Sequence, residues 1–272
     1  MRTRKLFVAI AMLLLTFANV ASAQCKYPNT AFQSGEFLSY NLYFNWKFVW
    51  VKAGNASMST VQSNYKGRQA YRSALITRTS ESLDKMFTMR DTLLCYTSTD
   101  LEPLYFRKGA REGKRYTVDE AFYSYPNGKM HLNLHRQRSD GSHVRKELTR
   151  STCAYDMQSI FLRARSFNPE GWKKGNRITI PICDGTSVIN STLEYKGKAT
   201  VKAENGKKYR CLQLSYLEPD GGKLKEIVRF YVSDDTNHVP IRIDLFLKFG
   251  TAKAFLAGMK GVKSAMTSEV KK

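Results

Sequence analysis

His131 and His135 stand four residues apart, the spacing at which two imidazoles on one helix face could share a metal ion. Met130, Leu132 and Leu134 alternate with the histidines. That is the period of a strand, which separates the rings by about 13 Å, so no metal pair is expected. His143 follows the turn at Asp140-Gly141 and His238 lies in an aspartate-rich turn; both read as exposed polar residues. Asp234 and Asp235 are adjacent, so in a turn their carboxylates diverge. Acid–base pairs instead come from separate elements at a defined separation. With Ser233 the two aspartates read as turn-stabilising residues, and with Asn237 they fall short of the ligand count of a calcium loop.

Cys153 precedes Tyr155-Asp156 and a helical stretch. A helix N-terminus lowers a thiol pKa there, but no histidine is placed by the sequence to act as its base. No G-x-S-x-G, H-E-x-x-H, P-loop or dinucleotide fingerprint occurs. These residues therefore assign no catalytic, cofactor-binding or metal-ligating position, and the chain reads as non-enzymatic. What remains is an aromatic stripe. Tyr40, Phe44, Trp46, Phe48 and Trp50 occupy alternate positions, with Tyr43, Val49 and Val51 on the opposite face. A strand apolar on both faces fits a curved sheet with a helix or a ligand packed in its concavity. Trp46, Trp50 and Tyr43 are the candidate ligand-contacting residues; ordinary core is the competing reading.

The elements that must carry these residues are mostly strands. Residues 229–250 read as a long β-hairpin. Val228, Phe230 and Val232 share one face, then a turn spans 233–238, and Val239, Ile241, Ile243, Leu245, Leu247 and Phe249 share one face of the return strand. Residues 35–51 read as one long strand ending before a turn or bulge at Ala53-Gly54-Asn55. Strands follow over 56–62, 70–78, 88–98 and 105–111, with a short helix at 80–87 capped by Ser80 or Ser82. Asn127-Gly128 predicts a hairpin between 116–125 and 129–136, and a strand at 144–149 follows. Tyr155, Met157, Ile160, Phe161 and Leu162 fit a helix of about three turns that packs one side on the sheet. Alternation then returns over 178–183, 187–195, 200–203 and 209–217. This pattern predicts a mainly β protein: a large curved antiparallel sheet forming an open or closed barrel, with one or two helices packed on it.

The N-terminus addresses the chain. Arg2, Arg4 and Lys5, an apolar run over 6–20 and Ala21-Ser22-Ala23 make a secretory signal peptide over 1–23, cleaved after Ala23. Cys25 invites a lipoprotein reading, but that processing needs a small residue before the cysteine and Gln24 stands there. An unanchored periplasmic or secreted protein is expected, with no transmembrane segment in the mature chain. Residues 24–256 form one β-rich domain, and 257–272 is a basic tail expected to fray. Cys25, Cys95, Cys153, Cys183 and Cys211 contain no C-x-x-C, and their disulfide connectivity stays open.

Net charge is 44 − 23 = +21, and +18 once the three leader cations are gone. A basic exported protein meets anionic lipid or glycan rather than nucleic acid. Gly35-Glu36-Phe37-Leu38-Ser39-Tyr40, Arg90-Asp91, Glu112-Gly113, Tyr155-Asp156-Met157, Tyr195-Lys196-Gly197, Tyr209-Arg210-Cys211 and Tyr231-Val232-Ser233-Asp234-Asp235 follow one another along the chain. On these residues, in this order, the chain resembles the exported bacterial family catalogued as domain of unknown function 3108. The resemblance implies an exported β-rich protein and transfers no catalytic residue. The function expected is binding of a hydrophobic or anionic envelope component. The alternatives are an envelope glycan or peptide hydrolase with unidentified carboxylates, and a scaffold of an outer-membrane or surface complex.

Overall fold

A computed structural model describes residues 25–46, 49–84, 88–247 and 250–271. The leader, its cleavage site at Gln24 and Phe48 lie outside the described residues. Strands β1 (Glu36–Trp46), β2 (Val49–Tyr65), β3 (Arg68–Thr79), β4 (Met89–Ser98), β5 (Pro103–Glu112), β6 (Arg115–Ser124), β7 (Met130–Gln137) and β8 (His143–Arg150) run as one antiparallel meander. A second meander holds β9 (Arg177–Asp184), β10 (Ser187–Lys202), β11 (Lys208–Asp220), β12 (Lys223–Ser233), β13 (Pro240–Leu247) and β14 (Gly250–Lys260). Pairing of β1 with β14 fuses the two into a single sheet, and β15 (Glu269–Val270) adds onto β11. The sheet does not close, because β8 and β9 are its two edges. Tyr155 covers part of β9, exchanging backbone bonds with Pro181 and Cys183. Arg136 of β7 pairs with Asp119 and lies 3.7 Å from Asp184 of β9, so the edges approach without pairing.

Helix α1 (Glu81–Asp84) is a single turn; α2 (Met157–Arg165) carries the chain from one edge of the sheet to the other. The N-cap of α2 is Asp156, whose Oδ1 accepts from the Gln158 and Ser159 amides at 3.0 and 2.7 Å, satisfying two donors that a helix start leaves free. Leu162 sits in a core with Leu93, Cys95, Leu101, Leu132 and Leu134 of the first meander. Phe161 packs on Phe230 of the second. Arg165 is 2 % exposed and bonds both oxygens of the buried Glu36 at 2.5 and 2.8 Å. The helix thus fills the concavity and ties both meanders together. Of the two occupants the two-faced strand allowed for, the fold supplies the helix.

Residues 35–51 are two strands, not one. The chain turns between Trp46 and Val49, which pair with each other, and returns as β2. Apolar alternation runs on through this turn without Gly, Pro or Asn, so periodicity alone does not mark it. Gly54, read as turn or bulge, is at a bulge: the β1–β2 register shifts between Leu42 and Tyr43. A Cβ at Gly54 would lie 2.0 Å from the Arg78 carbonyl oxygen, so only glycine lets β2 approach β3 there.

The basic tail is also corrected. Residues 257–260 complete β14, and the segment beyond is strapped down rather than frayed. Asn237 donates to the Ser264 carbonyl at 2.9 Å and Arg210 to that of Thr267 at 2.9 Å. Asp235 accepts from the Ser268 amide and hydroxyl at 3.2 and 2.6 Å. Sequence reasoning missed this because the strap is held by polar contacts to a distant turn, not by its own periodicity. The same Asp235 accepts from Ser233 Oγ at 2.9 Å and the Asn237 amide at 3.1 Å. Asp235→Ala is expected to lower stability by about 2 kcal/mol, as loss of hydrogen bonds to a charged group does. An unchanged urea midpoint would show that neither turn nor strap depends on this carboxylate.

Candidate functional site

The β1–β2 hairpin changes which aromatic residues act together. Tyr43 pairs with Lys52 on β2 and with Lys253 on β14, while Trp50 pairs with Asn45. Directly paired residues point to the same face. Trp50 therefore joins Tyr43, Asn45, Lys52 and Lys253, and not the stripe of Leu38 and Tyr40, which is buried in the core. Trp46 closes β1; its side chain lies outside the described residues.

The other wall comes from the turn between β10 and β11. Its Glu204 amide donates to the Leu256 carbonyl at 2.9 Å. Glu204 Oε1 accepts from Tyr43 Oη at 2.6 Å and from Asn41 Nδ2 at 2.9 Å. Between these elements lies an open groove of about 440 Å³, lined by Tyr43, Trp50, Lys202, Glu204, Lys253 and Phe255. Lys253 Nζ stands 4.1 Å from the centroid of the Trp50 ring, a cation–π contact. Phe255 meets Tyr43 edge-on at 5.8 Å. Trp50 is 40 % exposed, so the contact leaves indole surface open to the groove.

Charge in the groove is unbalanced. Among the described residues, neither Lys202 nor Lys253 forms an ion pair. Burial and the nearby Arg242 lower the Lys253 pKa, against an opposing pull from Asp244, its cross-strand partner on β13. Glu204 is the groove's carboxylate and is already engaged. Its hydrogen bond from Tyr43 lowers its pKa, burial opposes this, and Asn41 and Lys52 lower it further. The arrangement is an aromatic floor beside two lysines that form no ion pair among the described residues, suited to holding an anion attached to a ring.

The remaining candidates resolve into structure. Ser233 accepts from the Val239 amide at 2.8 Å, Asp234 pairs with Lys198 at 2.8 Å, and Asp235 makes the turn and strap bonds described above. Cys153 is spent in a disulfide with Cys25, so it offers no thiolate at the helix start. Cys95, Cys183 and Cys211 are free and buried, and burial pushes the Cys183 and Cys211 thiols up to about 12. Among the described residues no group of three His, Cys, Asp or Glu side chains is arranged to hold a metal.

His143 is exposed as expected, whereas His238 is not. His238 is half-buried, with Nδ1 against the Arg165 carbonyl. His143 Nδ1 meets His135 Nε2 at 2.8 Å, and His135 Nδ1 meets Glu120 at 2.9 Å. The contact of His135 with Glu120 was legible. A two-residue turn at Asn127-Gly128 pairs residues whose numbers sum to 255, and Glu120 and His135 do. The groove had no such signal, because Glu204 lies more than 150 residues from Tyr43.

The fold is thus that of a large, open, barrel-like antiparallel sheet plugged by a helix, with a cationic aromatic groove beside its β1–β14 seam. Among the described residues no helix is long and apolar enough to cross a membrane. The chain belongs to the family described as Protein of unknown function (DUF3108), which matches residues 39–257. No curated protein matches it. The chain is similar in fold to a crystal structure of a beta-barrel-like protein of domain of unknown function DUF1849 from Brucella abortus. That likeness has a TM-score of 0.54 at 12 % identity, over 85 % of this chain and 98 % of the other. A protein with a YmcC-like fold from Bacteroides fragilis aligns over 86 % of this chain and 98 % of its own, at 11 % identity and a TM-score of 0.35.

Three of the segments that carry the family resemblance, those of Glu36, Asp156 and Asp235, stand at the two ends of α2. Asp156 starts the helix, Glu36 receives Arg165 near its end, and Arg165 also donates to the Asn237 carbonyl at 3.0 Å, in the turn that Asp235 holds. These residues seat the helix in the sheet; they do not line the groove.

Proposed function

We propose that the protein is a non-catalytic binding protein of the cell envelope that holds an acidic saccharide, a sugar ring bearing a carboxylate or phosphate, in the groove at Trp50. The observation that carries this reading is the pair of lysines, Lys202 and Lys253, that form no ion pair among the described residues, beside a partly exposed indole. A sugar ring lies on indole surface and its anion is met by the ammonium groups, which combines apolar contact with charge-assisted hydrogen bonding. Residues 1–23 direct export with cleavage after Ala23, into the periplasm or medium. The sulfur of Cys25 is engaged with Cys153, which supports an unlipidated N-terminus.

Hydrolysis finds less support in the site. The carboxylates whose pKa is raised by burial are Asp91 and Asp156; neither lines the groove, and Asp156 is occupied as a helix cap. The test is calorimetric titration with oligogalacturonate and with its neutral methyl ester. Wild type is expected to bind the acid and not the ester, and Lys253→Glu and Trp50→Ala are each expected to weaken binding at least about tenfold, or 1.4 kcal/mol. Equal binding of acid and ester, or an unaffected Lys253→Glu variant, would overturn the reading.

A further inference from the structure

The groove stands at the base of a protrusion. Pairing of β2 with β3 ends at Gly54 opposite Thr79, and the Ala53 carbonyl still accepts from the Ser80 amide at 2.9 Å, so β2 runs on for the four residues 49–52 without that neighbour. At a strand's rise this is roughly 13 Å. On the other flank, pairing of β13 with β12 ends at Leu245 opposite Val228, leaving Phe246 and Leu247 paired only with β14. The ends of β2, β1, β14 and β13 therefore project together as a four-stranded tongue. Its two hairpins lie side by side, since a Cβ on Gly250 would sit 2.9 Å from the Phe44 ring and 3.4 Å from the Asn45 carbonyl oxygen.

Among its described residues the end of the tongue is apolar, and lysines occur along both of its hairpins. Val49, Trp50 and Leu247 are 61, 40 and 39 % exposed, among the most exposed large apolar residues described. The stretches 44–53 and 245–254 contain four lysines and no carboxylate. We propose that this tongue docks on the surface of an anionic lipid bilayer, with Val49, Trp50 and Leu247 entering the headgroup region and Lys52 and Lys253 meeting lipid phosphates. Tryptophan partitions to that depth, and a basic residue near an anionic surface adds about 1 kcal/mol of attraction. Apolar insertion and charge then act together, as two-signal peripheral binding requires. The inference shares Trp50 and Lys253 with the groove but rests on the tip, which the groove does not include.

The test is sedimentation of the mature protein with vesicles of phosphatidylglycerol and phosphatidylethanolamine, and with phosphatidylcholine vesicles. Binding is expected to the anionic vesicles only, and to weaken in 1 M salt, where screening shortens to about 3 Å. Val49→Asp/Leu247→Asp is expected to lose vesicle binding at least about tenfold while titrating oligogalacturonate as wild type does. That second readout separates failure of the tongue from failure of the groove and reports that the variant folds. Independently, in a Trp172→Phe background, bromine-labelled phosphatidylglycerol is expected to quench tryptophan emission. Equal binding to zwitterionic vesicles, unaltered binding by the double aspartate variant, or absence of quenching would each overturn the inference.

Discussion

Glu36→Ala is expected to destabilise the protein by about 3–5 kcal/mol, the range seen when one partner of a buried ion pair is removed. The Glu36 and Arg165 side chains are 1 and 2 % exposed, and the Arg165 guanidinium lies 5.6 Å from the centroid of the Phe32 ring. Without Glu36 the guanidinium keeps the Asn237 carbonyl as acceptor, but its charge has neither a counterion nor water. Replacing both residues by apolar ones of similar size, Glu36→Leu/Arg165→Met, is expected to recover most of the loss, because the desolvation cost disappears with the charges. Urea unfolding of wild type, single and double variants measures both effects. A single variant within about 1 kcal/mol of wild type would show that water reaches the pair on opening.

Removing the disulfide should have the next largest effect. Cys25 and Cys153 are 128 residues apart, and closing a loop of that length restricts the unfolded chain by an entropy worth about 5 kcal/mol in the chain-entropy model. Native disulfides commonly return about 2–5 kcal/mol, and Cys25→Ser/Cys153→Ser is expected to fall in that range in urea without reductant. The bond also has a positional consequence. Cys153 lies just ahead of the Asp156 cap, and Cys25 begins the segment that carries Phe32 into the core beside α2. Reduction should therefore loosen the start of α2 before the sheet, seen as faster amide exchange at Gln158 and Ser159 than in β3 or β4. Equal exchange rates throughout would indicate that the bond acts on the unfolded chain alone.

The residues themselves made the strand-rich class, the antiparallel pairing, the helix at 157–165 and the turn at 233–238 legible, because each is a local matter. Alternation sets strand faces, Asp156 supplies a cap, and Ser233 with Asp235 satisfies its own turn. Even the contact of His135 with Glu120 follows from the register that Asn127-Gly128 imposes. The break inside residues 35–51 did not follow, since the alternation of apolar residues runs across it with no Gly, Pro or Asn between Trp46 and Val49. That break had a large consequence: it carries Trp50 from the core stripe to the face of Tyr43.

The groove depended on tertiary structure for a different reason. Tyr43, Glu204 and Lys253 come from three distant parts of the chain, and their meeting is set by the β1–β14 seam and by the β10–β11 turn that folds over it. Which half-barrel edge meets which, and what plugs the concavity, is decided by long-range burial of Leu162, Phe161 and Arg165. No periodicity within any one strand encodes that burial. The sequence determined what each segment is; packing across the seam decided which surfaces are left open to bind.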